Sequence, residues 1–208
     1  MKHLHAGARM SILARLLPGL VIVLMAVTAL PAEAGVPDPT KSECETCLVV
    51  SPDGTFLYRL TLRDDANAPV ADATVFLDFT AATGIVLCTE SDPNSDRMVE
   101  GTTNTAGVVD FYVRGGGQDL NFVTATSQLV TFCLAQARSP DLSSNLIIDA
   151  ADETLHQALA SDALAGDYDC DGDSDAADLA EIQSRTGRNC SSVQIENSTW
   201  GSLKAIYR

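Results

Sequence analysis

The run Asp167-Tyr-Asp-Cys-Asp-Gly-Asp-Ser-Asp-Ala-Ala-Asp178 sets an acidic side chain at every second position and closes on one more three residues later. Calcium is a hard cation that takes six to eight oxygens, and a twelve-residue loop meets it from positions 1, 3, 5, 7, 9 and 12. In that frame Asp167, Asp169, Asp171 and Asp178 supply side-chain carboxylates, Asp173 its main-chain carbonyl, and Asp175 a direct or water-mediated contact. Gly172 at position 6 allows the sharp turn that a β-carbon hinders. Six side-chain carboxylates in one loop repel each other, so the loop is expected to be loose without a cation and ordered around one.

A second copy lies 26 residues earlier, at Asp141-Leu-Ser-Ser-Asn-Leu-Ile-Ile-Asp-Ala-Ala-Asp152, and both copies end in Asp-Ala-Ala-Asp. Its candidate ligands are Asp141, Ser143, Asn145, the Ile147 carbonyl, Asp149 and Asp152. Leu146 stands where the glycine is expected. Fewer charges and a strained turn imply weaker affinity, and a metal-free first loop is the competing reading. Each loop leads into a short amphipathic segment: 153 to 160, with Leu155 and Leu159 four apart, and 179 to 185, with Leu179 and Ile182 three apart. This spacing predicts two helices that pack on each other.

Taken together, residues 139 to 190 resemble type I dockerin modules, whose paired calcium loop-helix motifs close on Asp. That resemblance implies calcium as the bound ion and an extracellular, cohesin-like protein partner, in the setting of polysaccharide-degrading machinery. It also implies that loop positions 10 and 11, here Ala150, Ala151, Ala176 and Ala177, face the partner. The usual hydroxyl or charged pair is absent there. The repeats also resemble type-3 thrombospondin-like calcium stalks, but two copies with helical segments favour the dockerin resemblance.

The elements ahead of the repeats read as strands. Phe56, Tyr58, Leu60 and Leu62 alternate with Leu57, Arg59, Thr61 and Arg63, and Ala73, Val75, Leu77 and Phe79 alternate with Thr74, Phe76 and Asp78. Further runs cover 84 to 88, 108 to 113, 121 to 127 and 128 to 135. Turn chemistry separates them at 52 to 54, 64 to 69, 92 to 94, 104 to 107 and the triple glycine 115 to 117. Seven or eight such strands predict an antiparallel sandwich over residues 48 to 138. The stretches 61 to 75 and Thr103-Asn-Thr-Ala-Gly-Val-Val-Asp-Phe111 resemble bacterial Ig-like and carboxypeptidase-regulatory-like β-sandwich modules. The expected fold is thus mainly β with a small α domain: an antiparallel Ig-like β-sandwich, then a C-terminal dockerin-like pair of calcium loop-helix motifs.

Residues 1 to 34 read as a secretory signal peptide, with Lys2, Arg9 and Arg15 ahead of an apolar run and Ala32-x-Ala34 as its cleavage pattern. A linker, 35 to 47, is expected to follow, and no second hydrophobic span occurs. The protein is therefore expected in the secreted or cell-surface space. Removing the leader takes three of the 13 basic and one of the 28 acidic residues, which leaves a net charge of −17. Such acidity argues against nucleic acid as a partner, because phosphate binding needs a basic footprint. All six cysteines lie beyond the leader, which favours three disulfides. The expected pairs are Cys170 with Cys190, tying the second loop to the end of its helix, Cys88 with Cys133 inside the β region, and Cys44 with Cys47 as the remainder.

Catalysis is not expected. His156 is the one histidine after the leader and has no nucleophile spaced to use it. Asp64 and Asp65 sit in an acidic turn, where neighbouring side chains point apart. The tail, 191 to 208, holds the single Trp with Lys204 and Arg208 and reads as a docking or sorting peptide, a packed segment or a free end. The leading expectation is a calcium-stabilised binding or assembly protein. A calcium-rigidified surface spacer is the second reading, and a glycan-binding or glycan-cleaving sandwich the third.

Overall fold

Alternating apolar and polar side chains send one set of a strand's residues inward and leave the other wet. The computed structural model, which describes residues 35–159 and 164–191, turns these runs into a mainly β molecule. Among the described residues the strands are β1 (Glu43–Cys44), β2 (Cys47–Val49), β3 (Tyr58–Thr61), β4 (Thr74–Asp78), β5 (Ile85–Leu87), β6 (Met98–Thr102), β7 (Val108–Phe111), β8 (Gly115–Gly117), β9 (Phe122–Ser127) and β10 (Val130–Arg138). Two helices follow, α1 (Ala150–Gln157) and α2 (Ala176–Arg185), with a 3-10 turn at Leu164–Gly166 between them. The expected signal peptide, and the tail beyond Ser191, lie outside the described residues.

The strands form a three-stranded sheet in the order β1-β3-β7, a five-stranded sheet in the order β2-β10-β9-β4-β6, and a β5-β8 pair. Tyr58 and Leu60 of β3, with Val109 and Phe111 of β7, share one buried cluster with Val75 and Leu77 of β4 and Val123 and Ala125 of β9. The inward residues are those the alternation predicts. Burying each such side chain stabilises by roughly 1.5–3 kcal/mol, so this cluster is the main source of cohesion.

Three features depart from the expected strand pattern. First, β10 pairs with β2 in parallel, with Gln136 opposite Cys47 and Arg138 opposite Val49, so the sheet is mixed and the expected linker contains paired strands. Second, the triple glycine is β8 and not a turn, antiparallel to β5. Its lack of side chains is what admits it: a β-carbon on Gly115 would lie 2.6 Å from the Val86 carbonyl oxygen. Third, β6 pairs with β4 although its sequence, Met-Val-Glu-Gly-Thr, shows little alternation. Gly101 lies against Phe111, where a β-carbon would approach the ring within 2.9 Å.

The disulfides are Cys44–Cys133, Cys47–Cys170 and Cys88–Cys190, so all three expected pairings are corrected. Cys44 and Cys47 are close in sequence but lie on strands of different sheets, and Cys44 crosses the core to Cys133 on β10. Between Cys170 and Cys190 runs α2, a ten-residue helix that rises about 15 Å. Each of these two cysteines bonds to the β region instead. Three disulfides fit an extracellular protein, and no helix of the described residues is long and apolar enough to cross a membrane. The described residues all belong to one compact unit.

Peptide mapping without reduction should recover the 44–133, 47–170 and 88–190 links. Replacing Cys47 and Cys170 together by Ser should lower the unfolding free energy by about 2–5 kcal/mol in a denaturant titration. A loss well under that range would mean the bridge does not restrain the chain.

Candidate metal centre

Each loop folds around carboxylates that accept hydrogen bonds from the loop's own backbone. In the second loop the Asp171 N–H donates to Asp167 Oδ1 (3.1 Å) and the Gly172 N–H to Oδ2 (3.2 Å). In the first, the Asn145 N–H donates to Asp141 Oδ1 (3.2 Å) and the Leu146 N–H to Oδ2 (2.7 Å). Position 12 repeats the correspondence. Asp178 accepts from Asp169 N–H (3.3 Å) and Asp175 N–H (2.9 Å), and Asp152 from Ser143 N–H (2.9 Å) and Asp149 N–H (2.8 Å). The two loops therefore share one hydrogen-bond scaffold despite their different ligand sets.

The shared Asp-Ala-Ala-Asp ending has a local cause. Asp149 and Asp175 cap the N-termini of α1 and α2, and Asp152 and Asp178 at N3 reach back to the cap N–H, which makes a reciprocal capping box in each copy. These four acids thus have a helix-starting role of their own. The backbone also bends alike in both loops. Position 4 is left-handed at Ser144 (φ 60°) and Cys170 (φ 65°), and so is position 6 at Leu146 (φ 64°) and Gly172 (φ 104°). Leu146 adopts the turn that glycine serves elsewhere, at a cost of about 1–2 kcal/mol.

Of the residues singled out in the sequence, Asp167, Asp169 and Asp171 bring carboxylate oxygens within 4.8 Å of one another, and so do Asp173, Asp175 and Asp178. Asp167 and Asp178 are buried, and the rest of this set is exposed. A carboxylate oxygen accepts about two bonds. Asp167 Oδ1 and Asp178 Oδ2 each accept one backbone N–H, which leaves room for a cation on each. Asp167, Asp169 and Asp171, and separately Asp173, Asp175 and Asp178, are thus the groups of hard oxygens that could hold a metal ion. The first loop brings together Asp141, Ser143, Asn145, Asp149 and Asp152. Yet the clusters of three acids found among the described residues are both in the second loop.

Charge and burial shape the titration of these groups. Burial pushes the Asp141 carboxyl up against the opposing pull of the Leu146 N–H, and the Asp152 charge adds to the rise. Desolvation raises Asp169, and the charge of Asp171 raises Asp173. Elsewhere, hydrogen bonding to Arg59 lowers Asp110, and the Asn121 and Gly84 N–H groups lower Asp119.

The loops are seated on the β region by contacts that local sequence does not announce. Asp141 rests on β8: its carboxylate lies against Gly116, and the Gly117 N–H donates to its carbonyl (2.6 Å). Asp167 meets Arg138, the last residue of β10. Ile148, Tyr168 and Ile182 form a second buried cluster with Cys47 and Val49 of β2. Arg185 stacks 4.3 Å over the Phe56 ring and donates to Thr55 Oγ1 (3.2 Å). On α1 the buried side chains are Asp152 and His156, while Leu155 is exposed and Leu159 half-buried; the two helices lie against each other, with Gln183 Nε2 of α2 donating to Glu153 Oε2 (3.4 Å). Tyr168 would have been legible as the apolar residue at loop position 2.

Ala150, Ala151, Ala176 and Ala177 are all exposed on the first turns of the helices. Asp64 and Asp65 remain in a turn closed by the Ala68 N–H on Asp64 Oδ1 (2.7 Å). Tyr112 and Phe122, the exposed aromatic rings among the described residues, lie next to β7 and on β9, in different sheets.

No family model matches the chain, and no curated protein matches it. Among solved structures, the Yersinia pseudotuberculosis adhesin InvE is similar to it with a TM-score of 0.32 and 19% identity, over 50% of this chain and 28% of that one.

Two predictions follow from the loop geometry. Gly172→Ala should destabilise the protein by about 1 kcal/mol and Leu146→Gly stabilise it by roughly the same amount, because only the former forces a β-carbon into a left-handed turn. Chemical denaturation in chelator reads both signs, and equal signs would contradict the shared backbone. Second, Asp141, Asp169 and Asp173 titrate above the ordinary carboxylate value, so the folded protein holds more protons than the unfolded chain just above that value. Their contribution to stability is complete below the ordinary value and is lost as pH rises through the raised ones. The lowered Asp110 and Asp119 act in the other direction, and only below that window. Melts in chelator should therefore show Tm falling as pH rises above the ordinary carboxylate range, and a Tm that rises there would contradict it.

Proposed function

We propose that the protein is an extracellular, non-catalytic, calcium-binding assembly module whose loop-helix pair docks another extracellular protein. One observation carries this reading: the second loop gathers its acids as two groups of three on a scaffold whose main backbone bonds to positions 1 and 12 recur in the first loop. A hard, oxygen-seeking dication neutralises the mutual repulsion of such a loop and fixes the start of α2. The resemblance to type I dockerins and to Ig-like sandwich modules supplies the docking part, with a cohesin-like protein as the partner class. Ala150, Ala151, Ala176 and Ala177 then present a small, uncharged face.

A second reading is favoured by a specific observation. Cys170, within the second loop, and Cys190, just after α2, are both disulfide-bonded to the β region. Such anchoring suits a calcium-rigidified spacer as well as a docking surface.

Calorimetric titration of the metal-free protein with calcium should give heat for at least one site and a higher Tm in calcium. Asp171→Asn should weaken that site at least about tenfold, since it removes one of the loop's charged ligands. Absence of both heat and stabilisation at millimolar calcium would sink the calcium reading. Docking predicts a calcium-dependent partner in the secretome that Ala177→Arg no longer captures while its calcium affinity is unchanged. Under the spacer reading no capture depends on calcium.

A further inference from the structure

Arg138 is placed where a cation has a direct effect on the second loop. Its side chain is 8% exposed, and the Asp167 side chain that it meets is 2% exposed. Nη1 donates to the Asp167 carbonyl (3.0 Å) and also to Oδ2 of the same residue. Oδ2 further accepts the Gly172 N–H, so this oxygen is fully used and Oδ1 is the one left for a metal. The first loop is built differently. Asp141 occupies the equivalent position, is equally buried, and among the described residues takes part in no ion pair; it lies on the glycine backbone of β8.

Two consequences follow from placing a fixed positive charge there. A buried carboxylate without a partner is costly, so Arg138 stabilises Asp167 in its loop position when no cation is present. The same charge repels a dication arriving at Oδ1, and in a poorly solvated site that repulsion is weakly screened. The coupling is reciprocal: what Arg138 takes from calcium affinity, calcium takes from the Arg138 interaction. We propose that Arg138 is a built-in counter-ion of the second loop, holding Asp167 in place before any cation binds and setting calcium affinity below what the carboxylates alone would give. The inference rests on the calcium reading.

The test compares the full chain with Arg138→Met, which keeps the stem and removes the charge, and Arg138→Lys, which keeps the charge. Calorimetry should show R138M binding calcium about tenfold tighter than wild type, with R138K within about twofold of it. In chelator the Tm of R138M should fall, and in saturating calcium it should fall less. Equal or weaker calcium affinity in R138M overturns the inference, as does an R138K that behaves like R138M. Should R138M fail to fold, hydrogen exchange on the chelated wild-type protein decides. The Asp171 and Gly172 amides, which donate to Asp167, should be protected there, and their free exchange overturns the counter-ion role. A wild-type protein that takes up no calcium fails the calcium reading itself, whereas calcium uptake with unchanged R138M affinity fails this inference alone.

Discussion

Four buried carboxylates, Asp141 and Asp152 in one loop and Asp167 and Asp178 in the other, dictate the architecture of the C-terminal third of this chain. A charge taken out of water must be hydrogen-bonded or paired. Each of the four is met by backbone N–H groups of its own loop, and that requirement sets the loop path. Amides at positions 5 and 6 can converge on the position 1 carboxylate because positions 4 and 6 turn left-handed. The N-terminal N–H groups of each helix then find acceptors in the acids at positions 9 and 12. Burial, turn and helix start are thus one solution to one electrostatic problem.

How much of this could be read from the sequence depends on how local its cause is. The Asp-Ala-Ala-Asp repeat is legible because a capping box acts within four residues, and the strands at 58–61 and 74–78 are legible because alternation reports a half-buried surface directly. The triple glycine has the opposite character. Its composition signals a turn, but its role is to let β8 lie under a loop that follows about two dozen residues later. The disulfides were illegible for the same reason. Cys47 reaches Cys170 because β2 lies parallel to β10, and no spacing between neighbouring cysteines encodes that pairing.

Leu146 shows where a local rule is outweighed. The absence of glycine at position 6 argues for a different turn, yet the backbone of the first loop follows that of the second. Tertiary contacts supply the difference: Ile148 is fully buried in the second cluster, its N–H donates to the Arg188 carbonyl (2.9 Å), and its carbonyl accepts the Gly187 N–H (2.7 Å). These contacts hold the loop from its far side, which lets a strained residue persist at position 6.

The two loops therefore share a scaffold but differ in what stands behind position 1, a glycine backbone in the first and a guanidinium in the second. The loop richer in acids is the one given a cation from the sheet. It is also the loop whose position 4 is bonded to β2 through Cys170, while Cys190, beyond α2, is bonded next to β5. With its start paired to Arg138 and both flanks covalently anchored, the second loop has little freedom to swing its helix on filling. On the proposed calcium reading, metal binding in such a frame would act as a local ordering of side chains and amides, and a partner surface on the first turns of α1 and α2 would be largely preformed. A preformed surface loses less conformational entropy on association, which is the physical ground on which rigid anchoring and docking are compatible.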